Sequence, residues 1–196
     1  MRRIPAAALA AALLLTALTL AGCASWLESP NKPANDAIAL ANTHLEKAML
    51  VGKSITDAGA RLDSIPYTKD GAKSALEITA KIKADLATQK AELLAAKTAM
   101  DSMASMEVSD ELKQYAKLES VALETRVKVT DAGVALYAQM DAFYTPLASG
   151  KTAKVNAQEI LDGIDSAKRD ITALSDLAAQ QAQDATDYFK AQKLGE

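Results

Sequence analysis

The chain carries one cysteine, Cys23, one histidine, His44, and six methionines, three of which recur at every third position as Met100, Met103 and Met106. These are its soft and borderline donors. Thioethers suit Cu(I), and an imidazole brought to the same height by an antiparallel helix would complete a soft-metal set. Two properties oppose that assembly. A three-residue period drifts around an α-helix, and methionine commonly serves as a flexible filler of core gaps. The sequence therefore assigns no metal, and Met100, Met103, Met106 and His44 are the residues from which a soft site would have to be built.

Other chemistry has less to stand on. A single histidine leaves no Ser/His/Asp arrangement, and neither a glycine-rich phosphate loop nor a GxSxG elbow is present. Di-iron bundles need a Glu-x-x-His motif on each of two helices, which one histidine cannot supply. Acidic pairs occur, as in any acidic helical protein, but no spacing marks one as an acid or a base. The expectation is a protein with no catalytic residues and no cofactor.

Cys23 is the exception, because its surroundings give the thiol a task. Arg2 and Arg3 precede an apolar run from about Ala6 to Leu18, and small residues follow. These are the parts of a secretory signal. The run is too short to serve comfortably as a permanent membrane span. A lone thiol cannot form an internal disulfide, so nothing else claims it. Leu20-Ala21-Gly22-Cys23 closely resembles the bacterial lipobox. That resemblance, which covers only residues 1–23, implies diacylglycerol transfer to the Cys23 sulfur, cleavage after Gly22 and acylation of the new amino terminus. In that family an Asp directly after the lipidated cysteine retains the product in the inner membrane. Ala24 stands there instead, which points to the outer membrane and its periplasmic face. Several acyl chains anchor where one is marginal, since each buried methylene adds roughly 0.8 kcal/mol. Trp26 and Leu27 either sit at the headgroups or belong to a plain tether.

Loss of residues 1–22 removes two arginines and no acid, taking the formal net charge from −3 to −5. No basic field remains to collect nucleic acid. The longest like-charge clusters are pairs such as Asp110-Glu111 and Lys168-Arg169, which read as solvated helix faces.

The elements that must position these residues follow from periodicity. Residues 23–34 contain Pro30 and Pro33 without an apolar period and read as a tether. A bundle occupies 35–196. Its first helix, about 36–64, repeats through Ile38, Ala41, Leu45, Ala48, Gly52, Ile55, Gly59 and Leu62, alternating steps of three and four. Pro66 breaks the pattern. A second helix, about 70–106, has the seam Ala75, Thr79, Ile82, Leu86, Gln89, Leu93, Ala96, Met100 and Met103. Ser109, Asp110 and Glu111 start a third helix that runs to about Leu147. Its seam is Leu112, Ala116, Leu123, Val127, Thr130, Val134, Tyr137 and Tyr144. Asn156 with Glu159 forms a capping box for a fourth helix along Ile160, Ile164, Ala167, Ile171, Leu174, Ala178, Ala185 and Tyr188.

Similar lengths and short turns predict an elongated antiparallel up-down-up-down four-helix bundle. The tether places the turns near 65–69 and 145–155 at the pole far from the bilayer. Tyr67, Tyr137, Phe143 and Tyr144 gather there, as a partner-docking surface or as an apolar plug for the bundle end. Tyr115, Tyr188 and Phe189 gather at the near pole. The function expected is a membrane-anchored interaction or envelope-scaffold module with a protein partner in the cell envelope. The alternative is a lipoprotein that holds a soft metal or small apolar molecule between helix ends.

Overall fold

The computed structural model describes residues 31–150 and 157–194. The signal segment, Cys23, Trp26, Leu27 and Asn156 lie outside the described residues. Within them the chain forms α1 (Lys32–Asp63), α2 (Lys69–Ser102), a single 3-10 turn (Met103–Ser105), α3 (Asp110–Ser149) and α4 (Ala157–Ala191). Helices of 32 to 40 residues are about 50–60 Å long at 1.5 Å per residue. Length alone makes the bundle elongated.

Local chemistry accounts for the ends. α1 begins inside the expected tether, at Lys32, because Pro33 falls in its first turn, where a missing N–H costs no helical bond. Ala34 is already fully buried. Thr68 and Ser109 cap α2 and α3 by accepting from the amides of Gly71 and Leu112. A Cβ on Gly71 would lie 2.0 Å from the carbonyl oxygen of Pro66, so this turn closes only on glycine. The second helix ends four residues earlier than the periodicity predicts. Met103 enters the 3-10 turn and Met106 has an extended backbone, φ −82° and ψ 152°. α3 continues past Pro146 to Gly150, whose φ of 66° is the left-handed stop that glycine tolerates.

Each helix packs on the next in sequence, and the paired residues descend on one helix as they ascend on its neighbour. His44 meets Glu92 and Ser54 meets Asp85 across α1 and α2. Lys90 pairs with Asp131, and Thr79 and Lys83 both donate to Asp141, across α2 and α3. Tyr115 meets Phe189 across α3 and α4. The fold is an antiparallel up-down-up-down four-helix bundle.

Small residues set how closely the axes approach. Ala41 and Ala48 on α1 and Ala75 and Ala96 on α2 are completely buried, and Gly52 and Gly59 are buried between them. Apolar side chains then collect in two clusters. The far one is built on Ile55, Ile82, Leu86, Tyr137, Ile164 and Ile171. The near one is built on Ile38, Leu93, Met100, Met103, Tyr115 and Leu123. Gln89, whose amide donates 3.1 Å to the Ala48 carbonyl, is buried at the boundary between them.

The predicted seams of α1 and α2 are the buried ones, with Leu45 only partly covered. On α3 the expectation for Val134 is corrected: it is 37 % exposed. This helix buries a second stripe as well, through Tyr115, Glu119, Ala122, Arg126, Val129, Gly133, Leu136 and Met140. α3 packs on α2 and on α4 through separate stripes, and one heptad seam describes only one of them.

Candidate functional site

The soft donors are not assembled. Met100 and Met103 are buried in the near apolar cluster, while Met106 has left the helix. His44 lies opposite Glu92, its Nδ1 2.6 Å from Oε2. That level is two helical turns along α2 from Met100. Among the described residues no group of three or more His, Cys, Asp and Glu is arranged to hold a metal ion.

The far-pole aromatics divide. Tyr67 packs edge-on against Phe143 at 6.0 Å and 86°, and Phe143 against Tyr144 at 5.2 Å and 80°. These contacts tie the 64–68 turn to α3. As a partner surface the set of four is corrected to two. Tyr137 and Tyr144 are core residues, and burial pushes both phenols up to about 12. They occupy the α3 seam, so their rings point inward. Only Tyr67 and Phe143 reach the surface.

Reading by sequence missed the residues with the most unusual environment. Glu119 and Arg126 are 3 % and 5 % exposed on the second stripe of α3. The opposing part of α4 is Ala178, Ala182 and Ala185, all buried. Their small side chains leave room for long polar ones. Burial pushes the Glu119 carboxyl up to about 7, against the opposing influence of the Arg126 charge and of the Tyr115 hydroxyl, which donates to it. Burial also lowers the Arg126 guanidinium, though the Glu119 charge partly restores it. One Glu119 oxygen, Oε1, is buried with no hydrogen-bond partner among the described residues, and so are Asn35 Nδ2 and Gln181 Oε1. The antiparallel register places Asn35 and Gln181 within about one helical turn of Glu119 in height. A signal was present, since Glu119 and Arg126 continue the seven-residue rhythm of this face. Their charge argues for solvent when sequence is the only guide.

A groove of about 490 Å³ runs outside the near end, between the last turn of α2 and the first turns of α3. Met100 and Ala116 border it, together with Asp101, Ser120, Lys113 and Lys117. Asp101 accepts from Ser120 and Lys97, which hold its carboxyl below the usual range against the effect of burial.

Among the described residues no helix is long and apolar enough to cross a membrane. No family model matches the chain, and comparison with curated proteins and with solved structures gives no match.

Proposed function

We propose that the protein is a lipid-anchored component of the outer membrane whose helical bundle acts, without enzymatic activity, as an interaction or scaffold module of the envelope. The observation that carries this reading is Leu20-Ala21-Gly22-Cys23 behind Arg2, Arg3 and a short apolar run. The bundle fits it mechanically. From Cys23 to Lys32 the chain spans at most about 30 Å, at roughly 3.3–3.6 Å per extended residue. Helices of 32 residues or more then carry the 64–68 turn a further 50 Å or so outward. In this reading Tyr67 and Phe143 stand at the end of the bundle opposite the anchored one.

Cys23→Ser tests the anchor. The variant is expected to leave the membrane fraction or to remain an uncut precursor, and to take up no fatty-acid label. Labelling that persists in it would overturn the reading.

The groove beside Met100 supports a second reading, a binder of small amphipathic molecules. Its border offers one thioether and mixed charges, which favours an organic ligand over a soft metal.

A further inference from the structure

We propose that the α3–α4 seam in the near half of the bundle is a proton-controlled latch: it is closed while Glu119 carries a proton and opens to water when this carboxyl ionises. The inference is independent of the lipid anchor and rests on a cluster of groups at one interface. Glu119 is almost completely buried, and its Oε1 has no hydrogen-bond partner among the described residues. A carboxylate in that position carries a full charge with one oxygen unsolvated, whereas the neutral acid does not. The Tyr115 hydroxyl donates to Glu119, and its ring packs on Phe189 of α4 with centroids 4.9 Å apart and planes tilted by 59°. The group that senses the proton is therefore bonded to the ring that holds the end of α4.

What covers the seam is also weak where it must open. α4 places Ala178, Ala182 and Ala185 over this stretch, whereas it buries Ile164 and Ile171 in the far half. Alanine contributes little apolar area, so between Ala178 and Ala185 parting the helices exposes less than parting them at the isoleucines, while the partly buried Tyr188 and Phe189 close the end. Local openings of this kind occur well below the energy of global unfolding.

Among the described residues, Arg126 apart, no other charge competes for Glu119. From α2, Asp101 is held by Lys97 and Ser120. From α1, Lys32 and Asp36 pair with each other at the exposed surface. From α4, the exposed Asp184 and Asp187 accept from Gln180 and Gln183, and Tyr188 is half-buried. Among the described residues Arg126 is the charge that acts on Glu119. Two turns away, it moderates the cost of the carboxylate without removing it.

Amide hydrogen exchange on the full chain between pH 6 and pH 8 tests the latch, with Ile164–Ile171 as the reference inside the same molecule. A carboxyl that titrates near 7 when closed and near its ordinary 4.5 when open makes the open state about tenfold more populated over this interval. Protection in Ala182–Phe189 is expected to fall by about that factor after correction for intrinsic rates, while the reference stays level. In Glu119→Gln the fall should vanish. A wild-type protein with equal profiles in both segments would overturn the proposal, as would a Glu119→Gln variant that keeps the fall. If Glu119→Gln does not fold, Arg126→Met decides. Loss of the guanidinium should move the transition to higher pH and deepen the opening, and an unshifted transition would equally sink the latch.

Discussion

Glu119 and Arg126 lie seven residues apart on one face of α3, both almost completely buried, opposite the buried Ala178, Ala182 and Ala185 of α4. Removing two charges from water costs more than their mutual attraction returns unless further hydrogen bonds complete the pair, and Glu119 Oε1 has no partner among the described residues. The consequence for stability has a definite sign. The carboxyl titrates near 7 in the folded chain and near 4.5 when exposed, so the folded state holds the proton more tightly. Its contribution is intact below about pH 4.5 and is lost as the pH rises towards and past 7. A shift of this size corresponds to roughly 3 kcal/mol. Denaturant unfolding should show lower stability at pH 8 than at pH 5.5, and Glu119→Gln should be the more stable protein at pH 8. Equal stability of the two proteins at pH 8 would show that Glu119 reaches water in the folded state.

How far the architecture could be read from sequence depends on how many stripes each helix buries. α1 and α2 present one dominant seam each, so Ile38 to Leu62 and Ala75 to Met103 could be placed from the alternation of three and four alone. α3 packs on α2 and α4 at once, and a heptad drawn through Val127, Thr130 and Val134 captured one face and misassigned Val134. The second face escaped because it contains Glu119 and Arg126, whose charge argues for solvent whenever composition is the only guide. Burial was instead decided by tertiary space, which Ala178, Ala182 and Ala185 provide from another helix more than fifty residues away. The aromatic pole was half legible for a related reason. Proximity of Tyr67, Tyr137, Phe143 and Tyr144 follows from topology, but whether a ring faces in or out depends on its position around α3.

Gly52 tests whether close approach of helix axes governs the middle of the bundle. It is buried on the α1 seam between Ala48 and Ile55, where glycine costs about 1 kcal/mol of helix propensity relative to alanine. A leucine there adds four carbons at a buried position, and overpacking of this kind costs about 1–3 kcal/mol. Gly52→Leu is expected to lower the melting temperature. An unchanged or higher value would mean that the seam has room to spare.

At the far pole, exposure separates contact from core. A photo-crosslinking residue in place of Tyr67 or Phe143 should capture a discrete envelope protein in intact cells, while the same residue at Leu50, exposed on the flank of α1, should not. Tyr67→Ala should cost the isolated protein less than about 1 kcal/mol, whereas Tyr137→Ala should cost about 3–5 kcal/mol through a core cavity. Capture from Leu50 as readily as from Tyr67 would remove the aromatic pole as the site of contact.

The methionines decide between packing and soft-metal binding. Met100 and Met103 fill the near core and Met106 follows the 3-10 turn, while His44 is engaged with Glu92 two turns away. Four donors separated in this way do not preorganise a Cu(I) centre, which needs its sulfurs converging on one point. The native chain is therefore expected to lose Cu(I) to a competing chelator. The triple substitution of Met100, Met103 and Met106 by leucine keeps volume nearly constant, so it should change stability by less than about 1.5 kcal/mol per site. Tight one-to-one Cu(I) binding that disappears in the triple variant would reverse this assignment. It would require the near end of the bundle to rearrange so that His44 gives up Glu92.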